Sequence, residues 1–216
     1  MSEHIEIRAG LTGVIATPSS PTKHGVVVVH EWHGLVPSVK AIVDRFASEG
    51  FLAIAVDHYH GQVADDDARA GQLMQAMVTR EAVGEIAEAV ALLRARGCTS
   101  VGVIGFCMGG ALAFAAATAV DGLSCAVPFY GIPVAEYWDA AKMRAPIQAH
   151  FVKVDAWAKV ERAEKLQAEI RARGGHMDLF VYDAAHAFMR ADDPKVYSAQ
   201  ASAAAWPRAV EFLRAH

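Results

Sequence analysis

The chain has 216 residues, of which 54% are hydrophobic and 20% charged, and its formal net charge is −4. This composition is typical of a globular protein and argues against a disordered chain. The absence of a basic cluster argues against nucleic acid as a partner. We therefore expect residues 1–216 to form a single domain.

The sequence also predicts the compartment. The first eight residues alternate charged and apolar side chains, which is not the pattern of a signal peptide. No apolar run approaches the ~18 residues that a membrane-spanning helix needs. Three cysteines without a Cys-x-x-Cys pair favour a reducing environment and no disulfide framework. These features predict a cytoplasmic protein that does not bind membranes.

Strands and helices alternate along the chain. Apolar runs predict strands at residues 5–9, 11–17, 25–29, 51–56, 101–104, 123–129, 146–152 and 178–182. Amphipathic stretches predict helices from Ser38 to Gly50, after the acidic residues 65–67 with a break near 79–84, at 111–119, at 158–173, and from about Pro194 with a bend at Pro207. A loop or short helix is expected around 133–141. This alternation predicts an α/β fold, a mostly parallel central sheet with helices on both faces.

The segment 101–110 joins a buried strand to an alanine-rich helix through Gly-Phe-Cys-Met-Gly-Gly. Gly105 and Gly109 allow a strand to reverse into a helix within three residues, because neither carries a Cβ. Cys107 would then lie at the helix N-terminus, where free amides and the helix dipole favour a thiolate. This pattern predicts the nucleophile elbow of an α/β-hydrolase fold with sulfur as the nucleophile. A buried cysteine in a glycine-rich nucleotide loop is the alternative.

Four chemically capable side chains each follow a predicted strand: Glu31, Cys107, Asp155 and His186. Parallel sheets bind ligands beyond the carboxyl ends of their strands, so we expect these residues to gather at one edge. The order nucleophile, acid, histidine is that of the α/β-hydrolases. It predicts Cys107 as nucleophile, His186 as base and Asp155 as the orienting acid. Taken singly, Asp155 also fits a helix N-cap and His186 a surface loop.

The sequence resembles the dienelactone hydrolase family over essentially its whole length. The elbow, the glutamate after the valine-rich strand, Phe-Tyr-Gly at 129–131 and Ala-His-Ala-Phe-Met-Arg at 185–190 carry the resemblance. It implies a cofactor-free, carboxymethylenebutenolidase-like hydrolase of small carboxylic esters or lactones. The implied reaction passes through a thioester acyl-enzyme.

The resemblance also implies roles for individual residues. The amides of Trp32 and Met108 would form the oxyanion hole, and Glu31 would accept the proton of the thiol when substrate arrives. Arg190 matches the arginine that holds a substrate carboxylate, and Tyr130 lies in a matching pocket segment. The implied partner is therefore a small, anionic ester or lactone.

Several positions depart from the family pattern, mainly where substrate is recognised. A second carboxylate-binding arginine has no counterpart in register, and Arg69 lies about two positions away. Met74 replaces a pocket tryptophan, and His33 replaces an aromatic residue after the oxyanion loop. These three residues are substrate-binding candidates. The expected glycine before the acid is replaced by Lys153-Val154.

Two other functions remain as alternatives: a thioesterase or acyl-transfer enzyme of the same fold, and a non-enzymatic thiol sensor that uses Cys107. No metal site is predicted, because the His-Glu-Trp-His segment at 30–33 lacks the helical His-Glu-x-x-His spacing. His58 and His60 are alternate residues at a strand end and are expected on opposite faces. Ordinary packing roles are predicted for the remaining conspicuous residues, Trp157, Trp206, Cys98 and Cys125.

Overall fold

A computed structural model describes residues 1–216 as one eight-stranded sheet flanked by helices. The strands are β1 (Glu3–Arg8), β2 (Leu11–Ala16), β3 (His24–Val29), β4 (Leu52–Val56), β5 (Ser100–Phe106), β6 (Cys125–Phe129), β7 (Ile147–Val152) and β8 (Met177–Tyr182). The helices are α1 (Pro37–Ser48), α2 (Asp67–Ala76), α3 (Thr79–Ala95), α4 (Met108–Ala119), α5 (Val160–Ala172) and α6 (Ala199–Ala215). Short 3₁₀ turns cover Ala135–Tyr137 and Ala140–Lys142.

The sheet order is β1-β2-β4-β3-β5-β6-β7-β8. Strand β2 pairs antiparallel with β1 and β4, and every other pairing is parallel. The carboxyl ends of β3, β5, β7 and β8 therefore lie at one edge of the sheet, where α/β proteins bind ligands. The predicted α/β-hydrolase fold, a mostly parallel central sheet with helices on both faces, is confirmed.

Strand β3 shows why the central strands are apolar throughout. Val27 and Val29 pack into the core beneath α2, α3, α4 and α5, whereas Val26 and Val28 pack beneath α1 and α6. All four valines are fully buried. A parallel strand covered on both faces excludes water from both sides, so its sequence cannot alternate between apolar and polar residues.

Some helix boundaries differ from the predictions. Helix α1 begins at Pro37 rather than being capped by Ser38, because proline is well suited to a first helical position. The predicted break after α2 occurs slightly earlier, at the extended residues Met77 and Val78. The predicted start of the last helix near Pro194 is wrong: α6 is capped by Ser198, whose hydroxyl accepts from a backbone amide of the first turn. No helix combines the length and the apolar character needed to cross a lipid bilayer.

Candidate active site

Cys107 occupies the sharp turn between β5 and α4. Its backbone is in a left-handed conformation, with φ 53° and ψ −113°. A Cβ at Gly105 would clash with the carbonyl oxygen of Gly109. A Cβ at Gly109 would clash with the carbonyl oxygens of Val29 and His30. The close packing of these backbones holds a strained residue that costs about 1–3 kcal/mol, and it produces the predicted elbow geometry.

A hydrogen-bonded line connects Cys107 to a histidine and a buried acid. His186 Nε2 lies 3.2 Å from Cys107 Sγ, and His186 Nδ1 lies 2.7 Å from Asp155 Oδ2. Asp155 Oδ1 also accepts from the amides of Trp157 and Ala158, at 2.8 and 3.0 Å. The Asp155 side chain is fully buried. The structure therefore joins residues from three separate strand ends into the arrangement of a nucleophile, a base and an orienting acid.

The charges in this line follow from its contacts. Burial by itself would lower the pKa of His186, but the hydrogen bonds to Asp155 and Cys107 outweigh burial and raise that pKa to about 10. Burial would raise the pKa of Asp155, but the hydrogen bonds from His186 and the loop amides lower it below its usual value. At neutral pH the sulfur therefore faces a cationic imidazole backed by a carboxylate.

Glu31 is largely buried beside the triad and is held by two neighbours. The Tyr130 hydroxyl donates to its Oε1 at 3.1 Å, and Arg190 Nε lies 3.6 Å from its Oε2. Burial raises the pKa of Glu31 to about 7, although Arg190 and the Tyr130 hydroxyl act in the opposite direction. Glu31 makes no hydrogen bond with Cys107, whose side-chain partner is His186. In this state the Glu31 carboxyl group is paired with Tyr130 and Arg190 rather than with the sulfur.

The raised pKa of Glu31 predicts a pH-dependent stability. The folded protein binds this proton with a pKa of about 7, against 4.5 for the free side chain. The corresponding stabilisation is therefore fully present below pH 4.5 and is lost as the pH rises through 7. A Glu31→Gln variant cannot ionise, so its melting temperature relative to the wild type should rise between about pH 5 and pH 8.

Thermal unfolding across that pH range measures the effect. Glu161→Gln, at an exposed position of α5, is the matched control and should track the wild type. A Glu31→Gln difference that does not change with pH would show that Glu31 has an ordinary pKa.

Three carboxylates surround the guanidinium of Arg190. Its Nε lies 3.6 Å from Glu31 and 3.7 Å from Asp192 Oδ1, and its Nη1 lies 4.0 Å from Asp193 Oδ2. None of these pairs has hydrogen-bond geometry, and the side chain is 26% exposed. The pKa of His33 is lowered, chiefly by burial and next by the positive charge of Arg190. The two side chains are therefore close to each other. Arg190 is thus available to an incoming anion.

Two predicted substrate residues gain no contact with the triad. The guanidinium of Arg69 donates to the side chains of Gln62 and Gln72 on an exposed surface. Met74 is 37% exposed, because the register of α2 turns Leu73 inward instead. The assignments of Arg69 and Met74 to substrate binding stay predictions without a supporting contact.

Four residues are predicted from the sequence to have packing roles only, and one of them is not buried. Trp206, Cys98 and Cys125 are buried as predicted. The packing role of Trp157 is wrong, since its side chain is 76% exposed. The backbone amide of Trp157 is bound to Asp155, so the residue contributes to the acid loop through its main chain while its ring faces solvent.

Two backbone amides at the strand edge lack protein acceptors. Met108 is the first residue of α4, so its amide has no intrahelical partner. The Trp32 amide lies in the loop after β3 and donates to no group of the protein. The close contact of Gly109 with the His30 carbonyl brings this loop against the start of α4. Two free donors on adjoining segments are what an oxyanion hole requires.

Sequence reasoning missed a pair of histidines behind this loop that share one glutamate, buried His58 and exposed His60. His58 Nδ1 lies 2.6 Å from Glu85 Oε2, and His60 Nε2 lies 3.3 Å from Glu85 Oε1. The expectation that His58 and His60 face opposite sides is wrong, because the chain turns at His60, where φ is 51°. The only sequence signal was a glutamate on the buried face of α3. No three His, Cys, Asp or Glu side chains of residues 1–216 are arranged to hold a metal ion.

Comparison with known proteins agrees with this geometry. A family model described as the dienelactone hydrolase family matches residues 11–216. This chain belongs to the dienelactone hydrolase family. Protein usf of Aquifex pyrophilus is 35% identical over 213 residues, covering 94% of this chain and 92% of that protein. A carboxymethylenebutenolidase of a Pseudomonas species is 29% identical over 202 residues, covering 88% of this chain and 83% of that protein.

Solved structures show the same fold. A dienelactone hydrolase-like promiscuous phosphotriesterase from metagenomic libraries superposes with a TM-score of 0.83 at 22% identity, covering 99% of this chain and 97% of that chain. The resemblance to the dienelactone hydrolase family inferred from the sequence is therefore confirmed. As a member of that family, the protein is a dienelactone hydrolase-like hydrolase.

Proposed function

We propose that this dienelactone hydrolase family member cleaves small carboxylic esters or lactones with Cys107 as nucleophile, through a thioester acyl-enzyme. The observation that supports the proposal is the hydrogen-bonded line from Asp155 through His186 to the sulfur. A nucleophile needs a base within hydrogen-bond reach and a third group that orients the base, and this line supplies both.

In the acylation step, the Cys107 sulfur attacks the carbonyl carbon of the ester. Negative charge develops on the carbonyl oxygen, which the Trp32 and Met108 amides would stabilise. Collapse of this intermediate breaks the bond between the carbonyl carbon and the ester oxygen, and His186 gives its Nε2 proton to that oxygen. The products are a thioester and an alcohol, which stays tethered to the acyl group when the substrate is a lactone.

Deacylation reverses the proton transfers. His186, now neutral, takes a proton from water while the water oxygen attacks the thioester carbon. The carbon–sulfur bond then breaks, and the sulfur returns as an anion beside the protonated His186. One ester and one water are consumed and one acid and one alcohol are formed, so the cycle requires no cofactor.

Glu31 is proposed as a second proton acceptor, used in molecules where Cys107 is still a thiol rather than a thiolate beside protonated His186. A pKa of about 7 suits a carboxylate that exchanges a proton near neutral pH. Arg190 links this group to the substrate, because an incoming carboxylate would compete with Glu31 for the guanidinium. Release of Glu31 from Arg190 would then accompany substrate binding, so the thiol would be activated when there is an ester to attack.

Arg190 is proposed to favour anionic substrates. For an ester that carries a carboxylate near the scissile bond, Arg190→Met should lower kcat/KM roughly 30- to 1000-fold. This corresponds to a loss of about 2–4 kcal/mol of transition-state stabilisation. A neutral ester of the same size should change little. Arg162→Met, at an exposed position of α5, is the matched control. Equal losses for both esters, or a wild type without charge preference, would contradict this role.

A burst experiment with p-nitrophenyl acetate tests the function as a whole. The expected result is a burst of nitrophenol about equal to the enzyme concentration, followed by steady turnover, with both dependent on Cys107. A burst without turnover would favour the thiol sensor. Faster transfer to an added thiol than to water would favour an acyl-transfer enzyme, and strong preference for a thioester substrate would favour a thioesterase.

A further inference from the structure

His30 is a fully buried histidine directly before Glu31, outside the triad. Its Nδ1 lies 2.6 Å from the carbonyl oxygen of Glu31, and its Nε2 lies 3.3 Å from the backbone amide of His58. An amide can only donate, so Nε2 is the acceptor and carries no proton. Nδ1 therefore carries the hydrogen and donates to the Glu31 carbonyl.

That carbonyl belongs to the peptide unit whose amide is the Trp32 N–H. In a planar trans peptide the carbonyl oxygen and the amide hydrogen point in opposite directions. A donor that holds the oxygen of Glu31 on one side therefore sets the direction of the Trp32 amide on the other. Gly34 donates to the same oxygen at 3.2 Å, so two donors fix this one peptide.

We infer that His30 is a positioning residue that holds the Glu31–Trp32 peptide so that the Trp32 amide faces the oxygen of the reacting carbonyl. The inference rests on the proposed function, since an oxyanion hole matters only for acyl transfer. His30 itself touches neither the substrate nor the sulfur.

The surroundings of His30 connect both halves of the oxyanion hole. The His30 ring packs edge-on against the ring of Tyr59, with centroids 5.0 Å apart. The Tyr59 hydroxyl donates to Met108 Sδ at 3.2 Å. The His30 carbonyl also lies against Gly109 at the start of α4. Movement of His30 would therefore disturb the loop amide and the helix amide relative to each other.

The partner of His30 is itself anchored. His58 is buried, and its Nδ1 is 2.6 Å from Glu85 on α3. Burial, followed by the proximity of His58, lowers the pKa of His30 to about 3. His30 therefore stays neutral at working pH and keeps the tautomer that donates to Glu31. The pH dependence of turnover above about pH 5 should not include this residue.

Two reactions of Cys107 separate positioning from general damage to the site. Acylation by p-nitrophenyl acetate creates an oxyanion, whereas alkylation by iodoacetamide is a substitution at a saturated carbon and creates none. Leucine at position 30 fills a similar volume without a donor. His30→Leu should slow acylation by about 10- to 100-fold while the alkylation rate of the Cys107 peptide stays close to that of the wild type.

Asparagine tests the donor specifically, because its Nδ2 lies where His30 Nδ1 lies. His30→Asn should restore most of the acylation rate. His150→Leu is the control for loss of a buried histidine, since the ring of His150 bonds with Tyr182 and Gln148 rather than with the oxyanion loop. It should leave the ratio of acylation to alkylation unchanged. Should His30→Leu not fold, His30→Met, which also fills a similar volume without an N–H donor, takes its place.

The outcomes separate this inference from the proposed function. If the wild type shows no Cys107-dependent burst, the proposed function fails. If the wild type acylates normally but His30→Leu slows acylation and alkylation by the same factor, or slows neither, the positioning role is overturned. Failure of asparagine to restore acylation would also overturn it.

Discussion

Replacing Cys107 with alanine is expected to abolish ester and lactone hydrolysis, with a loss in kcat of at least about 10⁴-fold. The alanine variant has no atom that can form the acyl-enzyme, and His186 transfers protons but does not replace the missing nucleophile. Stability should change little, because alanine adopts the strained backbone at this turn at a cost similar to that of cysteine. Full activity in the alanine variant would remove Cys107 from the mechanism.

Serine at the same position is the informative companion. Cys107→Ser should retain little activity, because an alcohol has a far higher pKa than a thiol and needs a stronger base. In the wild type the hydrogen bond and the charge of Cys107 help to raise the pKa of His186 to about 10, and serine removes the charge from this pair. Steady-state kinetics and unfolding curves for both variants check these expectations. A serine variant as fast as the wild type would contradict the need for a thiolate nucleophile.

The second large effect is expected at the acid. Asp155→Asn should lower kcat by about 10³- to 10⁴-fold, because an amide neither stabilises the imidazolium nor holds its correct tautomer. His186→Ala should cost at least as much. Asp155 also accepts two loop amides, so melting temperatures must be measured alongside the rates.

Asp183 provides the matched control for this substitution. It follows β8, as Asp155 follows β7, but its carboxylate is exposed and paired with Lys153 at 3.2 Å. Asp183→Asn should keep kcat within about twofold of the wild type, as is usual for exposed ion pairs. If Asp183→Asn were damaging and Asp155→Asn silent, the orienting acid would be Asp183, and the altered Lys153-Val154 turn would be the reason.

The features that could be predicted are those that depend on short, continuous stretches of sequence. The buried strands were visible because parallel strands covered on both faces must be apolar at consecutive positions. The elbow was visible because only glycine fits at positions 105 and 109, where a Cβ would meet backbone atoms. The order of Cys107, Asp155 and His186 followed from their positions after strands, and the structure places them within hydrogen-bond distance.

Other features depend on packing between distant segments. Tyr130 and Arg190 come from different loops and meet at Glu31, where burial raises the pKa of the carboxyl group to about 7 although both neighbours act to lower it. No local pattern distinguishes a buried histidine that orients a peptide from one that fills space, so His30 was considered only as a metal ligand. The exposure of Trp157 could not be predicted either, because it depends on the path of the loop that holds Asp155.

The sequence by itself therefore determined the sheet, the elbow and the candidates for the reactive side chains, since backbone sterics and hydrophobic periodicity act over a few residues. The tertiary structure decided the burial, the neighbouring charges and the hydrogen-bond partners of each of these side chains. Desolvation of Glu31, the ion pair between Arg190 and Glu31 and the hydrogen bond from the His58 amide to the His30 ring all depend on residues far apart in the chain. Charge and hydrogen-bond energies depend on distance and burial, which exist only once the chain has folded.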